Sequence, residues 1–188
     1  MRWGAIVPVN YGRDCKTRLA GRLDRDRRTK LVELMARQVI SELQKTASIA
    51  EILMVSPKRL EVGNAGWAED LGRGLNAELA AARTRFAQAP VAFVHADLPF
   101  LATQDLSALL DAAERSGTAI APDRHAQGTN ALAVADGREF MPMFGRESFS
   151  RHGRALPNAA IVRTNGLSFD LDEEEDLDIA LARGFVLP

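Results

Sequence analysis

The chain has 188 residues, with 24 Lys and Arg against 25 Asp and Glu, and a formal net charge of -1. This length suffices to bury the core of one domain, so we predict a single domain over 1–188. The near-neutral charge argues against a nucleic-acid partner, which requires a broad basic surface. There is neither a signal-peptide pattern nor an apolar run long enough to span a bilayer, so we expect a cytoplasmic protein with no membrane partner.

Apolar runs alternate with amphipathic segments over the first part of the chain. Four short runs rich in Val, Ile, Phe and Ala are typical of buried parallel strands: 4–9, 49–55, 91–96 and 118–121. Apolar residues at helical spacing predict three helices: 31–43, 75–86 and 106–114. Strands that alternate with helices in this way build an open, mostly parallel sheet with helices on both faces. The predicted fold class is therefore α/β.

Shorter segments follow Asp123. We predict four further strands, which would extend the same sheet with mixed directions: 130–134, 139–144, 160–163 and 166–171. Two more helices are predicted: 146–154 and 173–182. No linker, internal repeat or low-complexity tract interrupts the sequence, which favours one domain.

Ligands of open α/β sheets bind beyond the carboxyl ends of the strands, so the loops after the predicted strands are the places to search. The loop after the first strand carries Lys16 and Arg18, and cations there suit a triphosphate. This loop has neither the Rossmann glycine pattern nor that of the P-loop. The alternative interpretation is an ordinary solvated basic loop.

Carboxylates lie at the ends of two other predicted strands. Asp97 ends the run at 91–96, and Asp170 and Asp172 would lie on one face of an extended strand. Carboxylates in such places suit Mg²⁺, which takes one or two of them together with phosphate oxygens and water. The alternatives are that Asp97 belongs to a turn and that Asp172 caps the last helix.

A third loop, 121–130, has mixed charge and ends in Gly-Thr-Asn. It could offer backbone amides, a hydroxyl and a guanidinium to an anion, or it could be an ordinary surface turn. Taken together with the other loops, it completes an ordered series of motifs. The series is 3–9 (WGAIVPV), 16–20 (KTRLA), 70–76 (DLGRGLN), 95–99 (HADLP), 121–132 (APDRHAQGTNAL), 144–152 (FGRESFSRH) and 170–172 (DLD).

This series resembles the guanylyltransferases of coenzyme F420 biosynthesis over nearly the whole chain. The resemblance implies a Rossmann-like nucleotidyltransferase fold that transfers GMP from GTP to phosphoenolpyruvate, 2-phospho-L-lactate or 3-phospho-D-glycerate, with release of pyrophosphate. It also implies roles for ten residues. Asp97, Asp170 and Asp172 would hold Mg²⁺; Lys16 and Arg18 would meet the triphosphate; Gly74 and Asn76 would contact the nucleoside; Thr129, Gly145 and Ser148 would hold the acceptor.

Some alternatives stay open at this point. The stretch at 10–15 departs from the family, whose members commonly have a shorter or different stretch before the lysine, so the acceptor is not specified. A homodimer is possible. The competing functions are a molybdopterin-type or other small nucleotidyltransferase, and a catalytically silent nucleotide-binding module.

Overall fold

A mixed β-sheet lies at the centre of the computed structural model, which describes residues 1–11, 15–138 and 140–188. Within those residues the sheet has seven strands: β1 (Trp3–Pro8), β2 (Ile49–Ser56), β3 (Gly66–Glu69), β4 (Val91–Val94), β5 (Thr118–Pro122), β6 (Thr129–Val134) and β7 (Ala160–Ile161). Their order across the sheet is β3-β2-β1-β4-β6-β5-β7. Strand β6 runs antiparallel to both of its neighbours, and the other pairings are parallel.

Helices cover both faces of this sheet. The α-helices are α1 (Arg25–Lys45), α2 (Leu75–Arg83), α3 (Thr103–Ser116), α4 (Ser148–Ala155), α5 (Asn165–Ser168) and α6 (Glu174–Ala182). Two short 3-10 helices accompany them: Thr17–Leu19 and Thr84–Phe86. The described helices do not include one that is both long and apolar enough to cross a membrane.

The alternation of side chains along β1 shows why both faces are covered. Ala5 and Val7 pack into one cluster with apolar residues of α1 and α3, whereas Ile6 packs into a second cluster with residues of α2. Successive side chains of a strand point to opposite faces, so an uninterrupted apolar run requires a helix layer on each side. The predicted α/β fold, with a mostly parallel mixed sheet and helices on both faces, is confirmed.

Two predicted strands are wrong, and one strand was not predicted. The segment 166–171 begins inside α5, where the Thr164 side chain accepts a hydrogen bond from the amide of Leu167 and caps the helix. Residues 140–144 are not in a strand either, and position 139 lies outside the described residues. Strand β3 is four residues long and half-buried, too short to stand out as an apolar run.

A third apolar cluster brings the C-terminal part of the chain to the carboxyl edge of the sheet. Leu19, Phe169, Leu171 and Leu177 are buried together there. The amide of Leu171 donates to the carbonyl of Asp97 at 3.0 Å. This contact holds the 170–172 segment beside the loop that follows β4.

Candidate active site

A lysine joins two carboxylates at the carboxyl edge of the sheet. Lys16 Nζ lies 2.6 Å from Asp97 Oδ2 and 2.7 Å from Asp172 Oδ1. The Lys16 side chain is only 9% exposed, against 24% for Asp97 and 44% for Asp172. The structure therefore brings together three of the predicted site residues from parts of the chain more than 70 positions apart.

Lys16 has a left-handed backbone, with φ 47° and ψ 45°. For a residue other than glycine this conformation costs about 1–2 kcal/mol, and it persists only where the surroundings enforce it. It directs the side chain between the two carboxylates. Of the stretch 10–15, which departs from the family pattern, residues 12–14 lie outside the described residues.

Arg18 lies further out than Lys16. Its guanidinium donates to Glu173 at 2.9 Å and reaches Asp172 at 3.5 Å, and its side chain is 65% exposed. Asp172 does not cap α6, because Glu173 occupies the N-cap position of that helix. The Asp172 carboxylate instead faces Lys16 and Arg18. Asp176 instead accepts the amides of Asp172 and Glu173 at the start of that helix.

Asp170 completes the predicted set of carboxylates. Phe169 and Leu171 are buried on either side of it, whereas Asp170 and Asp172 are partly exposed, so the expected alternation exists without a strand. Asn130 Nδ2, on β6, donates to Asp170 Oδ1 at 3.2 Å. The third predicted carboxylate is thus held by the sheet, on the same edge as Asp97.

The pKa values of Asp97 and Asp170 are shifted in opposite directions. Burial raises the pKa of Asp97, but the Lys16 ammonium outweighs it and holds that pKa below its usual range. Burial and the nearby charge of Asp97 raise the pKa of Asp170 to about 6. Burial lowers the pKa of Lys16, but Asp97 and Asp172 more than offset this and raise it. The site therefore carries an ionised Asp97 beside a second carboxyl that ionises reluctantly.

The raised pKa of Asp170 predicts that this residue destabilises the metal-free protein at neutral pH. Its folded pKa of about 6 lies above the unfolded value of 3.8, so stability falls as pH rises through that window. We expect Asp170→Asn, which keeps an acceptor for Asn130, to raise the free energy of unfolding by about 1–3 kcal/mol at pH 8. Denaturant titrations in chelator should show the gain shrinking by pH 4.5, and equal stabilities at pH 8 would contradict the assignment.

A cavity of about 400 Å³ opens beside the Lys16 cluster. Its lining includes Asn10, Lys16 and Asp97. It also includes Glu78 and Asp70, and Asp70 follows β3, which β1 and β2 separate from β4 and Asp97. This volume is within the range of small-molecule sites. The arrangement places a cation and carboxylates at one end of a space that can hold a nucleotide.

The far wall of the cavity depends on Glu78, which the sequence reasoning missed. Glu78 is 3% exposed, and its carboxylate accepts the amides of Leu71 and Arg73 and pairs with the Arg73 guanidinium at 2.7 Å. Hydrogen bonding by Arg73 lowers the pKa of Glu78 to about 2. An acidic residue on the apolar face of a predicted helix was the signal available in the sequence.

Gly74 and Asn76 lie near this wall but not in the lining of the cavity. Gly74 precedes α2 with φ 94°, a conformation that favours glycine. The Asn76 side chain bonds the backbone of Phe144 twice, donating to its carbonyl at 3.1 Å and accepting its amide at 2.7 Å. Asn76 thus connects α2 to the loop before α4, and its predicted contact with a nucleoside stays a prediction.

The three residues predicted to hold the acceptor lie near Phe144, whose ring packs against His95 in the lining of the cavity and against His152 of α4. Thr129 begins β6, Gly145 has φ 102°, and Ser148 begins α4. The amide of Ser148 donates to the carbonyl of Gly145 at 3.0 Å, and the buried Ser148 hydroxyl has no hydrogen-bond partner in the part of the chain that the structure describes. A buried hydroxyl without a partner is costly unless a ligand satisfies it.

The loop between β5 and β6 is a hairpin turn organised by Asp123. Its carboxylate accepts the amides of Gln127 and Gly128 at 3.0 and 2.6 Å. Arg124 pairs with Asp176 at 2.5 Å rather than facing the cavity. Of the anion-binding groups expected in this loop, the hydroxyl of Thr129 is the one directed toward α4.

The oxygen donors at the carboxyl edge are of the chemical type that Mg²⁺ prefers. Asp97 Oδ1 is buried and has no hydrogen-bond partner among the described residues, and Asp170 and Asp172 supply further carboxylate oxygens. Among the residues described, however, no three His, Cys, Asp or Glu side chains are disposed to hold a metal ion. Lys16 Nζ joins two of the three carboxylates instead.

Solved nucleotidyltransferases share this fold. A nucleotidyl transferase from Methanothermobacter shares the fold with a TM-score of 0.69 at 13% identity, covering 98% of this chain and 97% of its own. The 2-C-methyl-D-erythritol 4-phosphate cytidylyltransferase from Thermus thermophilus aligns with a TM-score of 0.59 at 17% identity, covering 99% of this chain and 100% of its own.

The sequence comparisons identify the family within the nucleotidyltransferases. Residues 3–184 match the family described as guanylyl transferase CofC like. Phosphoenolpyruvate guanylyltransferases from Sphaerobacter thermophilus and Chloroflexus aurantiacus are each 35% identical, over 93% of this chain and 90% and 92% of their own lengths. The chain belongs to the CofC-like guanylyltransferase family, and the predicted resemblance is confirmed.

Proposed function

We propose that this enzyme transfers GMP from GTP to a small phosphorylated acid, with phosphoenolpyruvate the first candidate, and releases pyrophosphate in coenzyme F420 biosynthesis. The relatives are named for phosphoenolpyruvate, and this chain covers about nine-tenths of their length. The observation that carries the proposal is the Lys16–Asp97–Asp172 cluster at the mouth of the cavity.

The donor would lie in the 400 Å³ cavity with its triphosphate toward Lys16. Lys16 is buried, charged and already directed by its strained backbone, so it can offset negative charge without first reorganising. Arg18 is more exposed and would act on the outer phosphates. Both cations would stabilise the charge that develops on the leaving pyrophosphate.

The acceptor would lie across Phe144, against Thr129, Gly145 and Ser148. The Ser148 hydroxyl is buried and has no hydrogen-bond partner among the described residues. A buried hydroxyl of this kind favours an acceptor oxygen that can take its hydrogen bond. These groups would hold the acceptor so that its phosphate oxygen faces the α-phosphorus of GTP.

Asp97, Asp170 and Asp172 are the residues that would hold magnesium. When bound, the ion supplies charge stabilisation to the phosphates of donor and acceptor. The buried, unpartnered oxygen of Asp97 is the group of this set with the most to gain from a cation. Lys16 would then pass its contact from the carboxylates to the triphosphate.

The reaction requires no covalent enzyme intermediate and no general base. An ionised phosphate oxygen of the acceptor bonds to the α-phosphorus, and the bond from that phosphorus to the bridging oxygen of the β-phosphate breaks. The electron pair leaves with pyrophosphate. Positioning and charge stabilisation supply the catalysis.

The proposal is tested by pyrophosphate release from the purified protein with Mg²⁺. GTP, ATP, CTP and UTP are each combined with phosphoenolpyruvate, 2-phospho-L-lactate and 3-phospho-D-glycerate, and products are identified by mass. We expect release to require GTP together with an acid, and phosphoenolpyruvate to have the highest kcat/KM. Release with CTP, or silence across the panel from folded protein that binds nucleotide, would overturn it.

A further inference from the structure

A buried histidine on α4 contacts both β6 and the loop that precedes α4. His152, on α4, is fully buried and packs against the rings of Phe140 and Phe144. Its Nδ1 lies 2.9 Å from the Thr129 hydroxyl, and its Nε2 lies 3.1 Å from the amide nitrogen of Met143. Both ring nitrogens are therefore engaged, one by a group that can only donate.

The amide of Met143 decides the tautomer. A backbone N–H has no lone pair to offer, so the Nε2 that it meets must be the unprotonated nitrogen. A neutral imidazole then carries its proton on Nδ1. Burial lowers the pKa of His152 to about 4, with the charges of Arg151 and His95 acting in the same direction, so the ring is neutral near pH 7.

The tautomer in turn decides what Thr129 can do. Since Nδ1 carries the proton, it donates to Thr129 Oγ1, and the hydroxyl's own proton is left free to be donated elsewhere. Thr129 is 2% exposed, and among the described residues its hydroxyl bonds His152. A buried hydroxyl locked as a donor recognises an oxygen without a proton, such as an ionised carboxylate or phosphate.

The geometry of α4 places this pair beside the other acceptor groups. Ser148, Arg151 and His152 are spaced i, i+3 and i+4, so they share one face of the helix. Within residues 1–11, 15–138 and 140–188, the buried Ser148 hydroxyl and the buried Arg151 Nε have no hydrogen-bond partner. This face of α4 therefore presents hydrogen-bond donors. Because His152 makes the Thr129 hydroxyl a donor, Thr129 joins that set.

We propose that His152 is a positioning residue, which fixes the Thr129 hydroxyl as a hydrogen-bond donor to an anionic oxygen of the acceptor. This inference rests on the proposed function, because it assumes that the acceptor contacts Thr129. His152 takes no part in proton transfer to the substrate. Its loss would weaken binding of the phosphorylated acid and leave binding of the nucleotide unchanged.

Two amide substitutions separate the two hydrogen bonds of His152. Asn places its amide near Nδ1, so His152→Asn can still donate to Thr129, whereas Gln reaches the Nε2 position, so His152→Gln can still accept from Met143. We expect the KM for the acid to rise by about 10-fold or more in His152→Gln, from the loss of one buried hydrogen bond to an anion, and by less than about 3-fold in His152→Asn. The KM for GTP should not change in either.

A double-mutant cycle with Thr129→Val tests whether His152 acts through the Thr129 hydroxyl. If His152 acts through the hydroxyl, His152→Gln should raise the KM for the acid no further in the Thr129→Val background. Arg154→Ala, an exposed position on the same helix, is the matched control and should behave as wild type. Equal effects of Asn and Gln, a parallel rise in the KM for GTP, or full additivity in the cycle would overturn the proposal.

A spectroscopic readout needs no variant and no substrate. Two-bond ¹⁵N–¹H correlation spectra of the histidine-labelled wild type at pH 7 should show a neutral His152 ring protonated on Nδ1. The Nε2–H tautomer would overturn the proposal even if some variant fails to fold. If the wild type turns over none of the acids, the proposed function is wrong, and the role of His152 in it is wrong as well. If the wild type is active but the His152 variants have unchanged KM values, only the role of His152 is wrong.

Discussion

Asp97→Asn should lower kcat by at least about 100-fold under saturating Mg²⁺, with little change in the fold. Asp97 is a partly exposed carboxylate whose Oδ2 meets Lys16 at 2.6 Å, and its buried Oδ1 has no hydrogen-bond partner among the described residues. The amide is nearly isosteric, but it has no charge to attract a cation. Loss of one preorganised group that stabilises transition-state charge, such as an oxyanion-hole donor, typically costs about 100–1000-fold in rate.

Steady-state pyrophosphate release, followed over a range of Mg²⁺ concentrations, measures the effect of Asp97→Asn. Asp111→Asn is the matched control, because Asp111 is an exposed aspartate on α3, away from the carboxyl-edge cluster. Thermal unfolding should confirm that both variants fold. Near-normal turnover of Asp97→Asn at saturating Mg²⁺ would mean that Asp97 is not a metal ligand.

Lys16→Met should lower kcat/KM for GTP by about 100-fold or more and also change how the protein responds to magnesium. In the wild type the Lys16 ammonium joins Asp97 and Asp172. Removing it leaves Asp97 without its counter-charge, which we expect to cost about 1–3 kcal/mol in metal-free protein, less than for a fully buried pair because Asp172 is 44% exposed.

The same change removes a competitor for the carboxylates. Mg²⁺ should therefore raise the Tm of Lys16→Met by several degrees more than it raises the Tm of the wild type, since about 1 kcal/mol corresponds to roughly 2–4 °C in a protein of this size. Differential scanning fluorimetry with and without chelator makes the comparison. Lys30→Met, at an exposed position of α1, is the control. An unchanged magnesium response would show that Lys16 and the ion do not share ligands.

Much of the site could be predicted from the sequence because its residues sit where strands end. Asp97 follows a short apolar run and Lys16 follows another, and parallel strands present their carboxyl ends at one edge. The alternation of Asp170 and Asp172 with buried Phe169 and Leu171 was also correctly predicted, although the segment does not pair with the sheet. In each case a local pattern of apolar and charged residues carried the information.

Other features depend on contacts between distant residues. His152 reads as one more polar residue of a short helix, and its importance appears only when Thr129 and Met143 lie against its two nitrogens. Asn76 reads as a helix-start residue, yet its side chain bonds the backbone of Phe144, which is 68 positions away. Glu78 likewise organises the loop before its own helix.

The sequence by itself determined the α/β class and the family, and it predicted the loops where ligands should bind and the carboxylates and cations in them. These follow from local periodicity and from short ordered motifs, which do not require knowledge of the packing. Only the tertiary structure decided which partner each polar group has: Lys16 with two carboxylates, Asp170 with Asn130, and His152 with Thr129. Partner choice sets proton affinity and hydrogen-bond direction, and it depends on distances of a few ångströms that the order of residues along a chain does not contain.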